Sequence, residues 1–279
     1  MPEINTSSIS TNQSLLKFEI TENFTCIRFL DQNKERFELE FNLEKGTSFN
    51  TFLIRSYEEL IIIHPPEKQY LNSFNIVISK FCDQFKLNKI NVITGHINPQ
   101  IIETIKNINS QFQNLTITCS NPGFKLINEL WNQRNPKLEN FVETQLPEIN
   151  IIKKELKIEL ENISLELIPI PTARWPGGII IYEEYQEILL SEKIFSAHIA
   201  SEYWSETNRV STEADRKHFY DCLMAPMSNQ VVSITEKISE YSIKTIAPLH
   251  GPAIEYSLKS FLNDYIRWGE NLSRNNPKI

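Results

Sequence analysis

The stretch Thr94-Gly95-His96-Ile97-Asn98-Pro99-Gln100-Ile101 constrains this chain most. It follows a short apolar strand, Lys89 to Ile93, and opens a helix over about Pro99 to Ile108. A tight turn with glycine, then proline at the helix start, makes a strand-to-helix corner. In α/β proteins such corners point side chains into the crevice at the carboxyl ends of the strands. On an extended turn His96, Asn98 and Gln100 alternate and face one way. The spacing is that of a metal-ligand cluster. Asn and Gln, however, are neutral amides, and hard or borderline cations want carboxylate or imidazole. The corner reads as a metal site whose charges have been removed.

The rest of the chain narrows the setting. Its 279 residues can bury a substantial core. The net charge of −7 argues against nonspecific binding to nucleic acid or to an anionic membrane surface. No apolar run approaches the roughly 18 residues of a membrane helix, and the polar start (Asn5 to Ser14) lacks the pattern of a signal peptide. Cys26, Cys82, Cys119 and Cys222 form no C-x-x-C pair and read as buried thiols. A cytoplasmic location is the expectation. No glycine-rich phosphate cradle is present.

Residues 1–14 are rich in Ser, Thr and Asn and are expected to be disordered, with one domain over 15–279. Short β-branched and aromatic runs predict strands at about Leu15 to Ile20, Thr25 to Leu30, Arg36 to Phe41, Phe49 to Arg55 and Glu59 to Ile63. A helical period runs from Tyr70 to Phe85. After the corner come a strand, Leu115 to Cys119, and a helix, Phe124 to Trp131, behind the capping run Ser120-Asn121-Pro122-Gly123. The second half predicts strands at Ile151 to Leu156, Ile163 to Ile168, Gly178 to Tyr182, Glu187 to Ser191 and Thr245 to Pro248. A long helical pattern, Glu213 to Tyr241, is interrupted near Pro226, and a last helix covers Ser257 to Leu272. Each half runs strands first and ends in helices. Two mixed sheets face to face, with helices outside, bury both halves. Polar residues at the strand ends are His96, Asn98, Gln100, Arg174, Lys193, His198 and His250.

Five segments carry a family resemblance. They are Gly46 to Ile54, Gly95-His96-Ile97-Asn98-Pro99, Arg174-Trp175-Pro176-Gly177-Gly178, Leu190 to His198, and Leu249-His250-Gly251-Pro252. They resemble the metallo-β-lactamase-like domain of flavodiiron proteins, more closely the cyanobacterial diflavin flavoproteins. Phe219 to Pro226 resembles that subgroup's long helix. The resemblance implies an αββα sandwich. In metal-bearing members the first corner reads H-x-E-x-D-H, the second loop H-W-P, the third position is Asp and the last H-G-P, and together they hold two irons. Here His96 and His250 keep ligand types. Asn98, Gln100 and Ile101 stand where Glu, Asp and the second His would be, Arg174 replaces the loop His, and Lys193 replaces the Asp. The family would use a diiron pair and FMN. The expectation for this chain is a degenerate metal site, no cofactor, and no flavodoxin-like domain up to Ile279.

Function follows as an expectation. A non-catalytic partner subunit or small-anion binder in oxygen and electron-transfer chemistry is preferred. The alternative is an oxygen or nitric oxide reductase completed by a flavin- and iron-bearing partner. Arg174 and Lys193 are expected to meet inside the crevice, offset by an anion or by Glu192, Asp221 or Glu183. His198 is expected to make a structural hydrogen bond inside the crevice wall, the alternative being a residual proton donor near the old site. Tyr203, Trp204, Phe261, Tyr265 and Trp268 are candidates for a contact surface with a second copy or a full-length relative, or simply cover the sandwich.

Overall fold

Strand alternation sorts the apolar residues into three layers of core. In the computed structural model, which describes residues 7–8, 13–37, 40–41, 43–112, 114–133, 145–170, 172–206, 208 and 210–275, the chain opens with β1 (Ser7–Ser8), β2 (Gln13–Thr21), β3 (Phe24–Asp31), β4 (Arg36–Phe37), β5 (Glu40–Phe41), β6 (Thr47–Ser56) and β7 (Glu59–Ile63). Then follow α1 (Leu71–Phe85), β8 (Lys89–Ile93), α2 (Pro99–Gln111), β9 (Leu115–Ser120), α3 (Asn121–Asn132) and β10 (Glu148–Ile152). The first sheet has the order β1-β2-β3-β6-β7-β8-β9-β10. Its β2, β3, β6 and β7 pair antiparallel, and β7 to β10 pair parallel.

The second sheet is β11 (Leu156–Leu160), β12 (Ile163–Pro169), β13 (Ile179–Glu183), β14 (Ile188–Glu192) and β15 (Thr245–Pro248), in that spatial order. Helices α4 (Val210–Phe219), α5 (Ser228–Ile238) and α6 (Leu258–Asn275) complete the chain. On β7, Leu60 and Ile62 pack with α1 to α3, whereas Ile61 and Ile63 join the core between the sheets. On β13, Ile179 and Ile181 meet that central core, and Ile180 and Tyr182 meet the second helical layer. A period of two therefore gives each strand two buried faces. The result is the αββα metallo-β-lactamase-like sandwich, with two mixed sheets inside and helices outside.

Three local expectations change. The strand expected over Arg36 to Phe41 is two short strands, β4 and β5, in a sheet of their own. The strand expected over Ile151 to Leu156 straddles the crossing between sheets, since β10 ends at Ile152 and β11 begins at Leu156. Of the stretch expected to be disordered, Ser7–Ser8 pairs with Leu15 and Ser14, and residues 1–6 and 9–12 lie outside the described residues. The long helix does break at Pro226. α4 widens into a π-turn over Tyr220–Met224, tightens to a 3-10 turn over Ala225–Met227 and resumes as α5. Proline lacks the N–H and crowds the carbonyl four residues back.

Candidate functional site

Four strand ends meet at one edge of the sandwich. Gly95 brings the corner after β8 against the loop before β13. A Cβ there would lie 2.5 Å from Ile179 N, so only glycine allows the approach. Gly251, at φ 89°, lets the turn after β15 pass Ala197 O, which a Cβ would meet at 2.7 Å. Asn50 on β6 ties these pieces together, donating to Pro248 O (2.7 Å) and Gly251 O (2.9 Å).

The corner itself is a helix cap. Asn98 Oδ1 accepts from Ile101 N at 2.9 Å, with Pro99 at the first helical position. That bond fixes the amide, so Asn98 Nδ2 is the group facing His96 Nε2 at 3.1 Å. An NH2 can only donate. His96 Nε2 is therefore the acceptor, and its proton sits on Nδ1. His96 is buried, and burial, then the charge of Lys193, then His64, hold its imidazole well below the ordinary histidine range. Helix α2 already begins at Pro99, so the alternation expected to aim Gln100 inward does not apply. Gln100 is exposed, and Ile101 belongs to the core under α2.

On the opposite wall, Lys193 is completely buried, with Nζ 5.3 Å from the centroid of Trp175. Arg174 packs on the same ring at 5.3 Å, but its side chain is exposed. The expectation of two buried cations is therefore corrected to one. His250 lies buried between Ser48, Phe49 and His198, and its Nδ1 donates to Ser48 O at 2.8 Å. Its Nε2 is then the bare nitrogen of a neutral ring. Burial, then Lys193, then His198 hold its pKa well below the ordinary value, against a smaller upward pull from the Ser48 bond. His198 is buried and bonds Thr47 Oγ1 through Nδ1 at 2.7 Å, a hydrogen bond within the crevice wall.

The proposed counter-charges divide. Asp221 is exposed and pairs with Lys217, and Glu183 caps the turn after β13 by accepting from Gln186 N at 2.6 Å, so neither serves the crevice. Glu192 is buried, and its Oε2 would lie 3.3 Å from a Cβ on Gly178. Of the aromatic candidates, Phe261 and Tyr265 are core, Trp204 and Trp268 are half-buried, and Tyr203 is exposed.

Two residues were missed in the sequence. His64 ends β7 in a left-handed conformation, and Glu67 places its Oε1 3.4 Å from Asn98 Nδ2. The signal for His64 was present: Ile61-Ile62-Ile63-His64-Pro65 is another strand ending in a polar residue before proline.

Position by position, the residues expected to align with iron ligands supply two imidazoles, one inward amide, one exposed amide, a core isoleucine, an exposed guanidinium and a buried ammonium. The His96 Nε2 lone pair is already taken by Asn98. Among the described residues no three His, Cys, Asp or Glu side chains gather in a metal-binding group. An ammonium about 4 Å from a dication is repelled by roughly 8 kcal/mol at an effective dielectric near 20. These side chains do not fit a diiron pair. Among the described residues no helix is long and apolar enough to cross a membrane.

Comparison with known proteins places this geometry. Residues 47–251 match the ODP family β-lactamase model. Diflavin flavoprotein A 6 of a Nostoc strain is 32% identical over 252 residues, covering 90% of this chain and 42% of its own length. Diflavin flavoprotein A 3 of a Synechocystis strain is 30% identical over 246 residues, covering 88% and 39%. The chain thus spans about four-tenths of the length of these curated relatives. A metal-soaked flavodiiron core from Synechocystis superposes with a TM-score of 0.83 at 28% identity, covering 93% of this chain and 62% of that one. A fragment of diflavin flavoprotein A 5 from Nostoc gives 0.83 at 26%, covering 96% and 100%. The expectation of no cofactor is corrected by these names. The relatives are diflavin and flavodiiron proteins, so flavin and iron belong to the chemistry in which this domain type takes part.

Proposed function

This chain belongs to the ODP β-lactamase family and has the flavodiiron metallo-β-lactamase-like core, and from that premise we propose that it works as a partner subunit beside a flavin- and iron-bearing relative, its own crevice holding a small anion. The observation that carries this reading is Lys193, a fully buried ammonium 5.3 Å from the Trp175 ring centre whose charge bears on His96 and His250. That positive charge is what a small anion in the crevice would meet. Iron and flavin enter through the partner, in the reduction of oxygen or of nitric oxide. The reading in which the paired assembly is itself the reductase draws on the flavin and iron in the relatives' names.

The test is co-expression with a full-length diflavin relative, followed by size-exclusion chromatography and metal analysis of each chain. A stable heteromer with iron on the relative's chain supports the proposal. About two irons per copy of this chain would overturn its account of the crevice.

A further inference from the structure

β11 is the edge of the second sheet, and β12 is its only neighbour among the described residues. Glu159 stands opposite Ser164 on β12. The backbone of Ser164 is turned the other way. Its N–H donates to Glu183 Oε1 at 3.3 Å and its carbonyl accepts from Glu184 N at 3.0 Å, both on the β13 side. In an antiparallel ladder such a pair exchanges no backbone bonds, and the pattern repeats every second residue. The N–H and C=O of Lys157 and Glu159 therefore point out of the sheet. Edge strands of this kind can take up another chain, and native proteins often block them with a charge. Here the charges come as a pair.

We infer that β11 pairs antiparallel with β11 of a second copy, about a two-fold axis at Ile158. This pairing needs neither a crevice ligand nor a relative. The strand reads Leu156-Lys157-Ile158-Glu159-Leu160, apolar at the ends and centre, with opposite charges on either side of Ile158. Centred on Ile158, an antiparallel pair sets Lys157 of each copy opposite Glu159 of the other. It also sets outward-facing backbone against outward-facing backbone. Centred on Lys157 or on Glu159, the same pair would set like charges face to face, which destabilises a ladder. The charges thus select one register. Leu156, 42% exposed, is then covered by Leu160 of the other copy, while Ile158 and Leu160 keep their contact with the central core. Lys157 already bridges Glu159 at 2.8 Å and Glu184 at 2.7 Å, yet its side chain is half exposed. An ammonium has three donors, so it can take the second copy's carboxylate as well. Glu155, which would approach Glu161 beyond the strand, is turned to Lys237 on α5. One short strand buries little area, and two copies of net charge −7 repel, so the association is weak.

The test is sedimentation equilibrium of the purified chain at about 0.15 M salt, where long-range repulsion is screened. Wild type should self-associate at high micromolar concentration. Glu159→Lys and Lys157→Glu each place like charges opposite one another at both symmetric positions, and each should weaken association about tenfold. Mixing the two variants restores opposite charges and should return association to near the wild-type level. Glu159→Pro removes an outward N–H while leaving the bonds to β12, and should abolish association. Single variants as strong as wild type, or no rescue on mixing, overturn the register. A strictly monomeric wild type overturns the pairing. Backbone amide exchange of the wild-type chain keeps the test independent of whether the variants fold. The amides of Lys157 and Glu159 should slow as concentration rises, whereas Ile158, bonded to β12, stays slow throughout. Exchange at Lys157 and Glu159 that ignores concentration overturns the proposal.

Discussion

Arg216 and Lys193 are both fully buried cations, and the protein treats them in opposite ways. Arg216 sits behind the crevice, where its fork meets Glu206 Oε2 at 3.0 Å, Pro252 O at 3.0 Å and Phe195 O. Arg28 follows the same pattern with Asn50 Oδ1 at 2.7 Å and the carbonyls of Ser201, Tyr203 and Trp204. Burial lowers the Arg28 pKa to about 10, which leaves it charged at neutral pH. Lys193 instead has its Nζ 5.3 Å from the ring centre of Trp175, and its charge lowers the pKa of His96 and of His250. Planar guanidinium forks pin loops to one another by satisfying several carbonyls at once. A compact ammonium packed on an indole makes no such fork. The first cation locks loops together, and the second lends its charge to the crevice wall.

Breaking the closed pair should have the largest effect. Glu206→Gln leaves Arg216 buried without its carboxylate, and Thr212 Oγ1, 2.5 Å from Glu206 Oε2, loses an anionic acceptor. A loss of about 3–5 kcal/mol in denaturant unfolding is expected. A loss below about 1 kcal/mol would remove the contrast with Lys193.

Acid should act on the other side of the contrast. Burial lowers the His64 pKa to about 3, from the ordinary histidine value of 6.5. Below pH 6.5 the unfolded chain takes up a proton there that the folded chain does not. Stability contributed by the neutral ring is complete above about 6.5 and declines from there toward pH 3, by roughly 1.4 kcal/mol per pH unit. His96 and His250 are shifted the same way. Comparing unfolding at pH 8 and pH 5, His64→Leu should lose about 2 kcal/mol less than wild type. An equal loss in both would place the sensitivity elsewhere.

Lys193→Met removes a charge that lowers the pKa values of His96 and His250, so both should rise in an NMR titration, and unchanged values would take Lys193 out of the crevice. A destabilisation as large as that of Glu206→Gln would make Lys193 a structural cation like Arg216. The smallest effect concerns thiols. Burial pushes Cys26 and Cys119 up to about 12 and Cys82 up to about 11, whereas Cys222 is half-buried, 3.8 Å from His218 Nε2. Iodoacetamide on the native protein should label Cys222 first, as read by peptide mass analysis.

Strand alternation and helical period, both local properties, placed β7, β8 and α1 within a residue of where they lie. The resemblance carried by Gly95-His96, Arg174-Trp175-Pro176 and His250-Gly251-Pro252 led to the αββα sandwich that the sheets and the structural neighbours show. Local pattern could not tell that Ile151 and Leu156 belong to different sheets, because the break between them is set by which partner strand each finds. Nor could it orient side chains. Arg174 and Lys193 look alike as cations at strand ends, yet one is exposed and the other fully buried. Asn98 was legible as a polar residue at a corner. Only the fold made it a cap whose second amide hydrogen fixes the tautomer of His96. Burial, tautomer and charge offset depend on groups brought together from distant parts of the chain, and the sequence by itself holds only the near ones.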